Sequence, residues 1–144
     1  MQALKDGDVE LIKEAIKHGE VIRSWLRPGK KRVADRLAKA GVLEKGQMDT
    51  GSCVSRAVNF RFELNQVPLK CLPTLYDAGV LQKGAITGNL RKGDRVLFTK
   101  VTPVIGGRVV SATGAGVWIE RADGKSREYT YPQILAMGIV WVHV

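Results

Sequence analysis

Residues 33–46 read Val-Ala-Asp-Arg-Leu-Ala-Lys-Ala-Gly-Val-Leu-Glu-Lys-Gly, and a related stretch begins 38 residues later. Residues 71–84 read Cys-Leu-Pro-Thr-Leu-Tyr-Asp-Ala-Gly-Val-Leu-Gln-Lys-Gly, and seven of the 14 aligned positions are identical. Each copy has helical apolar spacing that ends at a glycine, the residue that most often closes a helix. The repeat therefore predicts two related helical units, over residues 8–46 and 52–84, within a helical region that spans residues 1–90.

The segment before the first copy also has helical spacing. Asp8 is a good N-cap for a first helix, which Gly19 is expected to interrupt. Apolar residues at positions 21, 22, 25 and 26 are expected to resume the helix, which predicts that Trp25 belongs to the core. A further helix starts near Lys30 and ends at Gly41, with a basic outer face.

The hydrophobic period changes from helical to alternating near Gly93. Five β-rich runs follow, at residues 94–101, 107–112, 116–121, 126–131 and 139–144, separated by glycine-containing turns and, before the last run, by a stretch from Pro132 that fits one 3₁₀-like turn. The sequence thus predicts an α+β protein, with helical units over residues 1–90 and a five-stranded β-barrel over residues 93–144. A long helix within residues 94–131 would contradict this prediction.

Two parts of the chain resemble known folds. Leu-x-x-Ala-Gly-Val-Leu, at residues 37–43 and 75–81, resembles the segment that ends a helix of helix-turn-helix and winged-helix domains and leads into the wing. Residues 93–144 are similar to SH3-like barrels of the KOW and Tudor type, through Lys-Gly-Asp-Arg-Val-Leu-Phe at 92–98, Gly-Gly-Arg-Val-Val at 106–110 and the Asp-Gly-Lys hairpin at 123–125. The first resemblance implies a DNA-reading unit, and the second implies a barrel of a type that binds RNA, DNA, peptides or polymerase subunits.

The second copy of the repeat departs from the winged-helix pattern. Pro68 and Pro73 shorten its helix, and Lys70 is its only basic residue before Lys83. The first copy is therefore the better candidate for contact with nucleic acid. The alternative is that both copies are ordinary helical hairpins that end at a capping glycine.

Basic charge is concentrated in two stretches of the chain. The 144 residues include 23 Lys and Arg against 14 Asp and Glu, a net charge of +9, and residues 23–45 carry +6 while residues 91–108 carry +4. This balance is typical of a protein that contacts a polyanion. The predicted nucleic-acid-binding residues are Arg23, Arg27, Lys30, Lys31, Arg32, Arg36, Lys39, Arg91, Lys92, Arg95, Lys100 and Arg108. The alternative is that these side chains only solvate the outer faces of their elements.

Aromatic residues occur among the basic residues of the β region. Alternation along residues 117–120 places Trp118 on the face opposite to Val117 and Ile119. We predict Trp118, Tyr129 and Tyr131 as stacking or partner-binding residues. For Trp118 the alternative is a plug at the junction between barrel and helical region. A stacking role predicts that Trp118→Ala weakens ligand binding about tenfold with thermal unfolding nearly unchanged.

The sequence contains no recognisable motif for catalysis or metal binding. His18 and His143, the only histidines, form no metal-ligand spacing with Cys53 and Cys71, which are expected to be buried thiols. No phosphate loop, dinucleotide-binding glycine motif or Gly-x-Ser-x-Gly elbow occurs. We therefore predict a protein with no enzymatic activity, no metal and no cofactor.

Two functions of different classes remain open. In the first, the chain is a non-enzymatic nucleic-acid-binding accessory or regulatory protein, whose basic helix and barrel edge contact the backbone of DNA or RNA. In the alternative, it is a small protein of phage or mobile-element type that binds an acidic surface of a host polymerase, nuclease or defence complex and regulates or inhibits it. Because no apolar run is long enough to span a bilayer, we expect no membrane contact and a cytoplasmic location.

Overall fold

A computed structural model describes residues 3–49, 56–84, 86 and 90–144. Its internal contacts divide the chain between Val67 and Pro68, into unit 1 (residues 1–67) and unit 2 (residues 68–144). The sequence predicts this boundary near residue 90 instead. The two positions differ because residues 82–84 form a strand that pairs with the last strand of the chain, so the second copy of the repeat belongs to unit 2.

Unit 1 combines two helices with one small sheet. Its elements are helix α1 (Asp6–His18), strand β1 (Val21–Ile22), a 3₁₀ turn (Arg23–Trp25), helix α2 (Pro28–Lys39), strands β2 (Glu44–Asp49) and β3 (Arg56–Arg61), and a 3₁₀ turn (Leu64–Gln66). The strands are antiparallel in the order β1-β3-β2. Helix α1 contacts α2 and β3, and its buried apolar residues are Leu11, Ile12 and Ala15.

The predicted continuation of α1 through residues 21–26 is wrong. Helix α1 ends at Gly19, whose φ of +81° favours glycine, and Val21 and Ile22 then pair with β3. The apolar residues in this segment are therefore divided between a short strand and a 3₁₀ turn rather than lying on one helical face. As a result Trp25 is 80% exposed and does not belong to the core.

Helical structure does not extend through residues 1–90 as predicted. Residues 44–49 and 56–61 are the paired strands β2 and β3, and of the predicted unit at 52–84, residues 52–55 lie outside the described residues. The larger apolar residues Val58 and Phe60 alternate with Ala57, Asn59 and Arg61, which is a period-two pattern, and Phe60 is completely buried. Strand pairing thus overrides the helical interpretation of this segment.

Unit 2 is built around a six-stranded antiparallel sheet. Its elements are a 3₁₀ turn (Leu69–Cys71), helix α3 (Leu72–Asp77), strands β4 (Gln82–Gly84), β5 (Arg95–Phe98), β6 (Ile105–Ala112), β7 (Val117–Arg121) and β8 (Ser126–Tyr129), helix α4 (Tyr131–Ala136) and strand β9 (Ile139–His143). A strand is observed at each of the five β-rich runs, although β6 begins two residues before its run. No helix lies in residues 94–130, all of which are described. The expected 3₁₀-like turn at Pro132 is the short helix α4, which Thr130 caps.

The sheet of unit 2 is not a closed barrel. Its strand order is β4-β9-β5-β6-β7-β8, and the two edge strands, β4 and β8, do not pair with each other. The sequence predicts five strands; strand β4, which follows the second copy of the repeated helix, pairs with β9 and adds a sixth. The α+β class is therefore correct, whereas a five-stranded closed barrel is not observed. Among the described residues, one buried cluster of this sheet contains Leu90, Val96, Phe98, Val109, Val117, Ile119, Tyr129, Ile134 and Ile139.

The two copies of the repeat have the same backbone structure. Helices α2 and α3 are each followed by a glycine with positive φ, +84° at Gly41 and +80° at Gly79. In the first copy, the amides of Val42 and Leu43 donate to the carbonyl of Leu37; the corresponding amides of the second copy donate to the carbonyl of Leu75. Each turn then leads into a strand. The predicted similarity is confirmed at this local level, and α3 is the shorter helix, at six residues against 12.

Replacing either repeat glycine with alanine is expected to destabilise its own unit. Both glycines have a positive φ, which an alanine adopts only with strain. At Gly79 the position of a Cβ atom is also open space, so no clash adds to that cost. We expect Gly41→Ala and Gly79→Ala each to lower the free energy of unfolding by about 1 kcal/mol, measured by urea denaturation. Gly114→Ala is the control, because Gly114 has no positive φ and also lies in open space.

None of the helices in the described part of the chain is both long and apolar enough to cross a membrane.

Candidate nucleic-acid interface

Helix α2 carries the largest group of predicted binding residues. It begins with Pro28, whose fixed φ suits the first turn of a helix, and its buried face contains Ala34 and Leu37. No acidic residue lies in its first turn. Arg32, Arg36 and Lys39 are four and three residues apart, so they follow one another along the exposed side of the helix.

Three of the predicted binding residues in this region form ion pairs within unit 1. Arg36 pairs with Asp8, whose residue is only 2% exposed and whose Oδ2 also accepts the backbone amide of Lys5 at 3.0 Å. Lys30 Nζ donates to the carbonyl of Gly7 at 3.3 Å and lies 3.5 Å from Glu10 Oε2. These contacts fasten α2 to the N-terminal turn of α1 and compensate part of the positive charge.

Arg23 is the third residue of this kind. Its Nε and Nη2 atoms donate to Asp35 at 3.2 and 2.9 Å. The hydrogen bonds from Arg23 lower the pKa of Asp35, and the same contacts raise the pKa of Arg23. Both groups are therefore ionised at neutral pH, and Arg23 neutralises the only carboxylate on α2.

Four cations at α2 are left without an acidic partner. Among the described residues, Arg27, Lys31, Arg32 and Lys39 form no ion pair. Arg27, Arg32 and Lys39 are exposed, and Lys31 is half-buried. We call these four residues the α2 cations. Helix α1 also carries exposed lysines without an ion pair in the described residues, Lys13 and Lys17, so the α2 cations are the larger of the two groups.

The predicted binding residues of unit 2 also divide into residues with partners and residues without an ion pair. Lys100 Nζ donates to the carbonyl of Ala136 at 3.1 Å, at the end of α4. Arg108 pairs with Glu120 on the neighbouring strand. Arg91 and Lys92 are exposed and, within the described residues, form no ion pair, so they are the two predicted cations of unit 2 that remain available.

Arg95 is not a surface residue, contrary to its prediction as a binding residue. It is 5% exposed, and its guanidinium donates to the carbonyl of Gly93 at 3.0 Å. Desolvation, followed by the nearby charge of Arg108, lowers the pKa of Arg95. Both faces of β5 are covered, because all four of its residues are buried. Strand alternation therefore does not bring Arg95 to the surface.

Trp118 faces outward, as strand alternation predicts. Val117 and Ile119 are completely buried, and Trp118 is 41% exposed. Glu128 lies directly opposite Trp118 on β8, and Glu120 is two residues further along β7. Arg127 stacks instead on the ring of Tyr129, which is buried with the core. The immediate surroundings of Trp118 on β7 and β8 are therefore more acidic than the sequence predicts.

The two predicted tyrosine platforms are not exposed rings. Tyr129 is 1% exposed, and its ring packs against Phe98 with centroids 5.8 Å apart. It pairs with Val117 across β7 and β8, and this register turns both side chains into the core. Tyr131 is half-buried, and its hydroxyl accepts the backbone amide of Leu90 at 3.0 Å. Tyr129 is thus corrected from a binding residue to a core residue.

Possible catalytic and metal-binding side chains do not cluster in the described part of the chain, where no three His, Cys, Asp or Glu side chains could hold a metal ion. Cys71 is a buried free thiol, as expected, and burial raises its pKa. Cys53 lies outside the described residues.

Sequence reasoning missed a groove on unit 1. The groove has a volume of about 590 Å³ and lies within residues 14–26. Its lining residues are Glu14, His18, Glu20, Val21, Ile22, Trp25 and Leu26. The apolar residues at positions 21–26 do signal this feature, but their spacing matches a helical core face equally well.

Compared with protein-family models, with curated proteins and with solved structures, the chain matches none.

Proposed function

We propose that this chain is a non-enzymatic, duplex-DNA-binding protein in which α2 contacts the DNA. The observation that carries the proposal is the set of α2 cations, which have no acidic partner in the described residues although neighbouring basic side chains are paired. Unpaired cations on one element release condensed counterions when they meet phosphates, which is the main source of affinity for a polyanion.

The order of elements supports a winged-helix mode of binding. In winged-helix domains, which residues 37–43 resemble, a helix leads into a wing. Here α2 leads into the paired strands β2 and β3. Residues 50–55, which connect the two strands, lie outside the described residues. We assign α2 the role of the helix that approaches a groove, with Arg32 and Lys39 on the approaching side.

Duplex DNA fits this arrangement better than RNA. An α-helix with its side chains is about 10–12 Å across, which matches the roughly 12 Å width of the DNA major groove. The major groove of A-form RNA is deep and too narrow for side chains to read. The mode of contact, through a helix with long basic side chains, therefore favours DNA.

For unit 2 we propose an open variant of the SH3-like arrangement. The five predicted strands are neighbours in the order β9-β5-β6-β7-β8, and α4 precedes the last strand, the feature on which the resemblance rests. Arg91 and Lys92 are its available cations and would add a second backbone contact.

The proposal is tested by fluorescence anisotropy with labelled duplex DNA, single-stranded DNA and duplex RNA of equal length. The double variant Arg32→Ala/Lys39→Ala is expected to bind duplex DNA about tenfold more weakly than the unmodified chain. The matched control, Lys13→Ala/Lys17→Ala, removes two exposed lysines of α1 that form no ion pair within the described residues. The proposal is wrong if the two double variants bind duplex DNA equally well, or if RNA is the tightest ligand.

A second candidate function, binding to a host protein, is favoured by the surroundings of Trp118. A half-exposed indole opposite Glu128, which forms no ion pair within the described residues, suits a protein surface better than a phosphate backbone, because the carboxylate repels phosphates.

Trp118→Ala separates the two candidates. We expect thermal unfolding to be nearly unchanged, because much of the indole is already exposed, and duplex affinity to stay within about twofold. A tenfold loss of duplex affinity would show that Trp118 stacks on nucleic acid, as the sequence predicts. A fall of several degrees in melting temperature would show that Trp118 is structural.

A further inference from the structure

The groove at residues 14–26 has an unusual rim. Trp25, at the end of the 3₁₀ turn, is 80% exposed, the highest value among the large exposed hydrophobic residues that the structure describes. Val21, Ile22 and Leu26 are half-buried beside it. A protein surface gains nothing from an indole held this far into water, and exposed aromatic residues beside a concave apolar surface are typical of protein-binding sites.

The groove is also acidic in a strongly basic chain. Glu14, Glu20 and His18 are its titratable lining residues, and no lysine or arginine lines it in the part of the chain that the structure describes. Glu14 is exposed and forms no ion pair within the described residues. Glu20 accepts a hydrogen bond from Asn59 Nδ2 at 2.6 Å, which fixes its carboxylate at the edge of the groove, and Arg61 Nε is 4.0 Å away.

This combination specifies the chemistry of an occupant. Apolar walls favour an aliphatic or aromatic side chain, and the Glu14 carboxylate, which has no ionic partner within the described residues, favours a cation next to it. The face of Trp25 adds an attraction for lysine or arginine. The charge is opposite to that of the α2 cations, so a ligand for this groove differs from a ligand for the proposed DNA-binding face.

We propose that the groove at residues 14–26 docks a peptide segment of a protein partner, in which a large apolar side chain stands beside a lysine or arginine. The apolar side chain lies against Val21, Ile22 and Leu26, and the basic side chain lies between Trp25 and Glu14. This function is independent of DNA binding, because the groove contains none of the α2 cations.

The test titrates the full chain with two short synthetic peptides, one made of leucine and lysine and the other of leucine and glutamate. Binding is measured by the changes in the amide NMR chemical shifts of the chain. The leucine–lysine peptide is expected to shift resonances of residues 14–26. Trp25→Ala should weaken its affinity at least about tenfold, and Glu14→Gln about threefold. Trp25→Ala should leave thermal unfolding and duplex-DNA affinity unchanged, because the side chain is exposed and lies outside the proposed DNA-binding set.

The matched control removes an exposed apolar side chain and an exposed carboxylate from unit 2, outside both proposed protein-binding surfaces. Leu135→Ala/Asp77→Asn is expected to bind the leucine–lysine peptide as the unmodified chain does. Equal binding of the leucine–glutamate peptide, or unchanged binding in Trp25→Ala, would overturn the proposal. Concentration-dependent self-association in analytical ultracentrifugation that Trp25→Ala abolishes would also overturn it, because the occupant would then be a second copy of this chain.

Discussion

Replacing Tyr129 with alanine is expected to lower the free energy of unfolding of unit 2 by about 3–5 kcal/mol. The ring is fully buried with Phe98, Val117 and Ile119, and its removal leaves a large cavity in a closely packed core. Urea denaturation followed by far-UV circular dichroism measures the loss. A small loss of stability together with weaker ligand binding would instead restore Tyr129 as the exposed platform that the sequence predicts.

Tyr129→Phe is the matched control and has a different expected result. The hydroxyl of Tyr129 is buried and has no hydrogen-bond partner in the described part of the chain. Such a group loses its water without compensation, so removing it is expected to leave stability unchanged or to raise it. Clear destabilisation by Tyr129→Phe would mean that the hydroxyl has a partner.

The second large effect is expected at Arg36. Its guanidinium is the ionic partner of the buried Asp8 carboxylate. Within the described residues, Arg36→Ala would leave that carboxylate with the Lys5 amide as its one remaining partner. Removing one partner of a fully buried pair costs about 3–5 kcal/mol. Because the Arg36 side chain is half exposed, we expect a loss of about 2 kcal/mol, between that range and the cost of a surface pair.

Arg32→Ala is the control for Arg36→Ala, because Arg32 lies one turn earlier on the same side of α2 and has no ionic partner in the described residues. Its replacement is expected to change stability by no more than about 0.5 kcal/mol. The double variant Asp8→Asn/Arg36→Gln should recover part of the stability, since no unpaired charge remains. If Arg36→Ala and Arg32→Ala are equally stable, the pair with Asp8 does not hold α2 in place.

The strands of unit 2 could be predicted from the sequence because their signals are local. Alternating apolar residues mark each of the five runs, and turns such as Asp123-Gly-Lys125 separate them. The repeated turn after α2 and α3 is local too, since a glycine with positive φ and two buried residues determine it. The positions of these elements along the chain can therefore be predicted without knowing which strands pair with one another.

The incorrectly predicted parts of the fold depend on long-range pairing. Val21 and Ile22 look helical until β3, nearly 40 residues later, pairs with them. Strand β4 is only three residues long and carries no strand pattern of its own; it exists because β9 lies beside it. Propensity is a weak signal against such tertiary contacts.

The candidate site, too, could be predicted from the sequence only in part. Composition locates the positive charge on α2, but it cannot show which cations have partners. The ion pairs of Lys30 with Glu10 and of Arg36 with Asp8 join residues 20 and 28 positions apart. Replacing Lys30, Lys31 and Arg32 together would therefore remove a structural contact of Lys30 as well as two available cations. An effect on stability could not then be separated from an effect on DNA binding. Replacing Arg32 and Lys39 avoids that ambiguity.

The salt dependence of duplex-DNA binding tests the central claim most directly. Each phosphate that a basic side chain neutralises on duplex DNA adds about 0.9 to the magnitude of the slope of log affinity against log salt concentration. We therefore expect Arg32→Ala/Lys39→Ala to reduce the magnitude of the slope by about 1.8, and Lys13→Ala/Lys17→Ala to leave it unchanged. Equal slopes for the unmodified chain and both double variants would contradict the assignment of α2 as the DNA-contacting helix.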